Sequence, residues 1–335
     1  MKTNNPLVQL MEKYQKGNKP AFHIGPFLPL VCIRERGLPF NDILKDSQAM
    51  TEAALMSFEF GFESTVLPFD LNVEAEILGA EVKYHQGFDG HPVYPTIADK
   101  PVATVDDIKI PNAIAEKGRM PAVLKTIRSI KACAQDKGAV GAFVPGPFAL
   151  AGQVMDMDEL FLMTLKKPEA TREIFERLTE FIINLKEVYI RAGIDFMMVW
   201  EGAGAAISPK AFRKLLLPYM QDIFKSKKVP QIVSLSGSSD KFIELMLACN
   251  PDGIALDEEC DIQKARQLIP ASIPLFSGCG GYDMLANATP VAITEKVKRY
   301  LDMGFTTVLL PADIYPPARI ENIEAFVRAI HEYAG

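Results

Sequence analysis

The chain has few cysteines, no excess of basic residues and no long apolar run, and each of these features argues against a class of protein. Five cysteines are scattered over 335 residues without a Cys-x-x-Cys pair, which indicates a reduced compartment and not a disulfide framework. No run approaches the roughly 18 apolar residues of a transmembrane helix. The net charge of −6 argues against a nucleic-acid surface. Residues 1–19 lack the apolar core of a signal peptide, so we expect a cytoplasmic protein.

Short apolar runs alternate with helical patterns along almost the whole chain. The predicted strands are 21–26, 64–69, 140–145, 196–201, 231–236, 253–258, 274–279 and 306–311. The predicted helices are 46–60, 120–136, 168–192, 209–227, 239–249, 262–268 and 290–303. This alternation is typical of an α/β fold with strands buried on both faces, and eight strands predict a closed (β/α)8 TIM barrel.

The predicted barrel is a single domain with two additions. Residues 1–19 are expected to form an N-terminal helical extension, and residues 20–335 the barrel. The less regular stretch 70–120 is expected to be an insertion after the second strand that covers the barrel mouth.

Acidic residues collect at the predicted carboxyl ends of the strands, where a barrel carries its active site. Carboxylates there can donate or accept a proton, and the candidate catalytic residues are Glu201, Asp257, Glu258 and Asp70. Asp70 also precedes a helix start, so a helix N-cap is an equal alternative. Glu201 has no local helix to cap, which favours a role in the site.

Further side chains at or near these strand ends are candidates for substrate binding. They are His23, Phe69, Phe148, Ser234, Ser236, Cys279, Asp313 and Arg34. Each has a structural alternative: the serines are loop hydroxyls, His23 is a hydrogen-bonded core histidine, and Cys279 is an inert buried thiol. Trp200 is expected to pack in the core.

Several segments resemble the uroporphyrinogen decarboxylase superfamily from about residue 20 to the C-terminus. They are 70–82 (DLNVEAEILGAEV), 144–150 (VPGPFAL), 207–219 (ISPKAFRKLLLPY), 257–259 (DEE), 285–289 (LANAT) and 319–330. Within that superfamily the chain is most similar to the methylcobamide:coenzyme M methyltransferases. The resemblance implies a TIM barrel, and it implies that Asp70 stands at the position of the decarboxylase's catalytic Asp.

The family motifs for zinc and for porphyrinogen carboxylates are not matched. Methyltransferases of this branch hold zinc with a His-x-Cys-Gly motif after the fifth strand and a Cys after the eighth. Ser234-Leu235-Ser236-Gly237 and Pro311-Ala312-Asp313 stand at these places, so we do not expect zinc at the usual site. Decarboxylases carry an arginine-rich segment near the N-terminus, where this chain offers Arg34 and Arg36.

A mixed oxygen and sulfur site is the alternative way to hold a metal. Glu201, Glu258, Cys279 and Asp313 stand at four strand ends and are candidate ligands of zinc.

The favoured function is methyl transfer to or from the cobalamin of a separate corrinoid protein, since the length leaves little room for a carrier module. The small-molecule partner is a methoxylated compound, a methylamine or tetrahydrofolate, and O-demethylation is the preferred reaction. A decarboxylase and a non-catalytic ligand-binding barrel are the alternatives. A homodimer is the alternative to a monomeric assembly.

Overall fold

The computed structural model describes residues 4–24, 29–87, 91–202, 206–257, 259–278, 282–309, 314 and 316–335. Within them a curled sheet of seven parallel strands runs in the order β1-β4-β5-β6-β7-β8-β9. These strands are β1 (Ser64–Leu67), β4 (Ala139–Pro145), β5 (Phe196–Trp200), β6 (Gln231–Leu235), β7 (Gly253–Leu256), β8 (Leu275–Gly278) and β9 (Thr307–Leu309). A separate antiparallel pair joins β2 (Glu81–Lys83) to β3 (Thr96–Asp99).

Helices surround the parallel sheet. Those before β4 are α1 (Pro6–Tyr14), α2 (Val31–Arg36), α3 (Phe40–Lys45), α4 (Ser47–Glu59), α5 (Val73–Ile77) and α6 (Met120–Ala134). Those between β4 and β6 are α7 (Pro147–Val154), α8 (Met157–Lys166), α9 (Pro168–Ala192), α10 (Pro209–Ala211) and α11 (Leu217–Lys225), with a π-helical turn at Phe212–Leu216. The remaining helices are α12 (Ile243–Ala248), α13 (Ile262–Leu268), α14 (Tyr282–Asn287), α15 (Pro290–Asp302) and α16 (Ile320–His331).

The TIM-barrel prediction is confirmed, and the prediction of the first strand is wrong at residues 21–24. That segment runs beside β1, where the Glu63 amide donates to the Ala21 carbonyl at 3.1 Å. It forms no strand because Ser64 Oγ, and not a backbone group, bonds both the amide and the carbonyl of His23. The rest of the predicted strand, residues 25–26, lies outside the described residues.

The strands separate two apolar cores because successive side chains of a strand point to opposite faces. The outer cluster lies between the sheet and the helices. The inner cluster fills the barrel and comprises Leu7, Met11, Tyr14, Phe22, Ile24, Val66, Ala139, Phe143, Phe196, Met198, Ile232, Ala255 and Phe276. Leu10, Leu71 and Trp200 pack against it.

Helix α1 closes the amino-terminal end of the barrel. Asn5 caps this helix and donates from Nδ2 to the carbonyls of Asp252 and Ser272, which lie just before β7 and β8. Leu7 is fully buried, and a Cβ added at Gly253 would lie 2.6 Å from its Cδ2 atom. The helix thus plugs the bottom of the inner cluster and leaves the opposite end for chemistry. The boundary that we predict at residues 19 and 20 remains a prediction.

The insertion between β1 and β4 holds the β2–β3 hairpin and two short 3-10 turns, Val105–Asp107 and Ile114–Glu116. In the part of the chain that the structure describes, no helix is both long and apolar enough to cross a membrane.

Replacing Leu7 with Ala should lower the free energy of unfolding by about 3 kcal/mol, because it leaves a cavity against Gly253 in the inner cluster. Chemical denaturation monitored by circular dichroism measures this loss. The matched control is Glu12→Ala on the exposed face of α1, which should change stability by less than about 0.5 kcal/mol. Equal effects of the two variants would show that α1 is not a plug.

Candidate active site

Four described side chains point into the barrel at its carboxyl end. Trp200 pairs with Ser234 across β5 and β6, and Ser234 pairs with the inner-cluster residue Ala255 of β7. Paired residues of neighbouring strands share a face, so Ser234 faces inward with Trp200. Ser236 and Asp257 follow Ser234 and Ala255 by two residues, just past the ends of β6 and β7, and the alternation of the strands predicts the same direction for their side chains. Trp200, Ser234, Ser236 and Asp257 are therefore called the mouth group.

A hydrogen bond joins two members of the mouth group. Trp200 Nε1 donates to Ser236 Oγ at 2.6 Å, and the indole packs on Phe143 with 5.8 Å between ring centroids. Asp257 Oδ2 accepts the Gly237 amide at 2.5 Å, where Gly237 has a φ of 75°. Ser234 is buried, whereas Trp200, Ser236 and Asp257 are half-buried. The arrangement offers an aromatic wall beside hydroxyl and carboxylate groups.

Glu201 points the other way, into the helix layer. It directly follows Trp200, so the alternation of the strand turns its side chain outward. Its carboxylate accepts the amides of Phe148 at 3.0 Å and Ala149 at 2.8 Å, in the first turn of α7. A negative charge at a helix N-terminus is stabilised by the free amides and by the helix dipole. Glu201 is thus a tertiary helix cap, and its catalytic role remains a prediction.

Helix α7 is held at both ends. A Cβ at Gly146 would overlap the Glu201 carboxylate, so only glycine lets the carboxylate reach the helix. At the other end Lys100 Nζ donates to the carbonyls of Gly152 at 2.8 Å and Met155 at 2.9 Å. Opposite charges at the two ends complement the dipole. Gln153 Nε2 also donates to the Leu71 carbonyl at 2.6 Å, which ties α7 to the segment after β1.

Asp70 is engaged in a buried ion pair. Arg119 Nη1 and Nη2 bond both carboxylate oxygens of Asp70, and Asp70 Oδ1 also accepts the Asn72 amide at 2.8 Å. Arg119 Nε donates to Glu76 at 2.8 Å. Both side chains of the pair are less than a tenth exposed. Breaking a buried bidentate ion pair of this kind is strongly destabilising, so Asp70 fastens the end of β1 to the insertion. Arg119 has no signal in the local sequence, because its partner lies 49 positions away.

Glu74 is a buried acid next to this ion pair. It is fully buried, and both of its oxygens lack a hydrogen-bond partner among the described residues. Burial is the largest cause that raises the pKa of Glu74 to about 8, and the charge of Asp70 adds to it while Arg119 opposes it. The Tyr189 hydroxyl also lacks a described partner, and its pKa is raised by burial and by the charge of Glu74. Glu74 is therefore protonated at neutral pH.

Four predicted substrate-binding residues lie away from the mouth group. The His23 ring lies 6.0 Å from that of Phe62, and burial lowers its pKa to about 3, which keeps it neutral. Phe69 belongs to the outer cluster. Phe148 packs in the helix layer, with ring centroids 5.8 Å from both Phe161 and Phe175. Arg34 donates to the carbonyls of Pro316 and Ala318 and pairs with Glu35.

The substrate-binding roles of these four residues remain predictions. Residues 69 and 148 lie near strand ends in the sequence, but alternation and helix packing turn their side chains outward. Arg34 fastens α2 to the segment before α16, so its donors are used within the protein.

Three other candidates, Glu258, Cys279 and Asp313, lie outside the described residues, so the mixed metal site with Glu201 remains a prediction. Among the described residues no three His, Cys, Asp or Glu side chains are grouped to hold a metal. The serines do not fit zinc either, because neutral hydroxyls are poor ligands and Ser236 Oγ already accepts the Trp200 N–H.

A parallel α/β barrel with polar and aromatic side chains at its mouth is an enzyme-like fold of the TIM-barrel class. Comparison with protein families identifies the family within that class. The family model described as uroporphyrinogen decarboxylase (URO-D) matches residues 3–333. The chain therefore belongs to the uroporphyrinogen decarboxylase family, as the resemblance of its motifs implied.

Curated relatives fall into two groups. A methylated-thiol–coenzyme M methyltransferase of Methanosarcina mazei is 23% identical over 290 residues, which are 86% of this chain and 77% of the relative. A methylcobamide:CoM methyltransferase of Methanosarcina barkeri is 22% identical over 303 residues, 89% of this chain and 88% of the relative. A uroporphyrinogen decarboxylase of Anaeromyxobacter dehalogenans is 25% identical over 323 residues, 92% of each.

The solved structure of a methyltransferase from Methanosarcina mazei superposes with a TM-score of 0.86 at 20% identity and covers 98% of both chains. This likeness establishes the fold. Within the family the relatives leave two activities to be weighed, methyl transfer and decarboxylation.

Glu74 makes stability depend on pH. Its pKa of about 8 in the folded protein lies above the ordinary 4.5, so unfolding releases a proton between these values and stability falls as the pH rises through that window. Relative to wild type, Glu74→Gln should gain up to about 1.4 kcal/mol per pH unit between roughly pH 5 and 8. Urea unfolding at several pH values measures the difference.

The exposed Glu81→Gln variant is the control and should follow wild type at every pH. A constant difference between Glu74→Gln and wild type across the window would mean that Glu74 is ionised in the folded protein.

Proposed function

We propose that the chain is a corrinoid-dependent methyltransferase that moves a methyl group between a small molecule and the cobalamin of a separate corrinoid protein. The observation that carries the proposal is the ion pair of Asp70, which stands at the position resembling the decarboxylase's catalytic Asp. Arg119 uses both of its oxygens, and the pair is buried. This engagement favours a structural role for Asp70 and supports the other main activity of the family, methyl transfer.

The positions of two arginines also speak against a decarboxylase. A porphyrinogen carries several carboxylates, which need cationic partners at the mouth. Arg34 bonds backbone carbonyls near α16, and Arg36 pairs with Glu52 and Glu59 on α4. Both candidate cations are thus committed elsewhere.

The methyl donor or acceptor is proposed to be a methoxylated compound, a methylamine or tetrahydrofolate. When bound, the corrinoid supplies the cobalt centre that takes or gives the methyl group. The barrel's own residues bind and orient the small molecule: Trp200 and Phe143 provide an apolar wall, while Ser234 and Ser236 provide hydroxyls. Asp257 is the described carboxylate placed to hold the proton that the reaction releases or consumes. The plugged base of the barrel keeps that end closed to water.

Anaerobic spectroscopy with a reduced corrinoid tests the proposal. With a methoxylated aromatic, a methylamine or methyl-tetrahydrofolate, wild type should change the corrinoid spectrum as the methyl group arrives. Asp257→Asn should slow this transfer by about 100-fold or more, because loss of a positioned acid or base costs that much. Asp99→Asn, an exposed change on β3, should leave the rate unchanged.

Uroporphyrinogen is assayed with the same protein. Consumption of uroporphyrinogen without methyl transfer would contradict the proposal in favour of a decarboxylase. Saturable ligand binding without turnover, with a corrinoid carrier protein present, would contradict it in favour of a binding barrel.

A further inference from the structure

The direction of the Trp200–Ser236 hydrogen bond fixes what Ser236 offers to a ligand. An indole N–H is only a donor, whereas a serine hydroxyl has one donor hydrogen and two acceptor lone pairs. Ser236 Oγ must therefore be the acceptor in the 2.6 Å bond to Trp200 Nε1. The hydroxyl hydrogen of Ser236 remains for another partner.

No described residue takes that hydrogen. The bond to Trp200 is the one hydrogen bond of the Ser236 hydroxyl within the described part of the chain, and the side chain is half-buried. Ser236 faces the barrel lumen with Trp200. A half-buried hydroxyl whose hydrogen has no partner gains from a ligand that accepts it.

The surrounding loop holds Ser236 in place. The Gly237 amide donates to Asp257 Oδ2 at 2.5 Å, and the Gly237 carbonyl accepts from Cys260 Sγ at 3.4 Å. Cys260 Sγ in turn accepts the Ser239 amide at 3.3 Å. Both backbone polar groups of Gly237, the residue after Ser236, are thus used, which fixes the backbone beside Ser236.

We propose that the substrate presents an oxygen atom that accepts the Ser236 hydrogen, so that the transferred methyl group belongs to an aryl or alkyl methyl ether. This deepens the proposed methyl transfer and rests on it. An ammonium has only donors and would leave the Ser236 hydrogen unpaired. The aromatic faces of Trp200 and Phe143 favour an aryl ether as the substrate class.

The chemistry of ether cleavage suits this donor. The carbon–oxygen bond breaks, and the electron pair of that bond stays on the oxygen. The methyl group is transferred to the partner protein's reduced corrinoid, whose own electron pair forms the new bond to carbon. Negative charge therefore develops on the atom that faces the Ser236 hydroxyl, where a preorganised donor stabilises it. A proton passed from solvent water through Asp257 then completes the phenol or alcohol.

Calorimetric titration without any corrinoid separates this inference from methyl transfer. The probes are 2-methoxyphenol, its demethylated product catechol, and trimethylammonium. Wild type should bind both oxygen compounds and should bind trimethylammonium at least about tenfold more weakly. Ser236→Ala should weaken binding of both oxygen compounds by roughly tenfold, since one hydrogen bond is lost. Trp200→Phe keeps an aromatic ring but lets the Ser236 hydroxyl rotate freely. It should weaken binding of both oxygen compounds by about threefold or more.

Ser238→Ala is the control in the same loop, because the exposed Ser238 hydroxyl bonds Asp240 and not the lumen. It should bind as wild type does. Three results would overturn the inference. They are tighter binding of trimethylammonium than of the oxygen compounds, unchanged binding of the oxygen compounds by Ser236→Ala, and no binding of either oxygen compound by folded wild type. Normal binding without methyl transfer in the corrinoid assay would instead count against the proposed function alone.

Discussion

The strict alternation of side chains along parallel strands decides what this barrel can do. In β5 the sequence Met198, Val199, Trp200, Glu201 places Trp200 inside and turns Glu201 outward, although both stand at the same strand end. The same rule brings Ser234, Ser236 and Asp257 to the lumen. A shift of the strand register by one residue would turn the mouth group outward and bring into the lumen the residues that now contact the helix layer.

Charged groups outside the lumen serve to fix the elements that shape it. Glu201 and Lys100 hold the two ends of α7, and the Asp70–Arg119 pair fastens the insertion to the end of β1. Gln153 links α7 to Leu71, which packs against the inner cluster. These contacts join the ends of β1 and β5 to α7 and to the insertion. Two of the acidic residues that the sequence places at strand ends, Glu201 and Asp70, thus form a helix cap and an ion pair.

Much of the fold follows from local sequence patterns. The helix predicted at 168–192 is found at Pro168–Ala192, because a long amphipathic pattern with Pro at its start and Gly193 at its end leaves little choice. The pattern also places Ser234 and Ser236 at the end of a strand. It does not reveal that residues 21–24 form no strand, because a side-chain oxygen of Ser64 replaces a backbone ladder there.

The remaining parts of the site depend on contacts between distant residues. Arg119 has no local signature, and its role exists only through Asp70 and Glu76. Glu201 has no helix to cap nearby in the sequence, because the helix it caps begins 54 positions earlier in the chain, at Pro147. The sequence predicts Trp200 as a core residue, whereas its indole N–H bonds Ser236 across neighbouring strands, a contact that no local pattern predicts. Periodicity predicts elements, whereas register and tertiary hydrogen bonds select which of their residues meet.

Trp200 is the one tryptophan of the chain, so its fluorescence reports on the mouth without any label. The central claim is that the small-molecule partner binds against the Trp200–Ser236 pair. The most direct measurement is tryptophan emission during titration with a methoxylated aromatic that shows saturable binding by calorimetry. A saturable shift with the same midpoint is the predicted result. Unchanged tryptophan emission at a ligand concentration that saturates the protein would place the binding site elsewhere and contradict the claim.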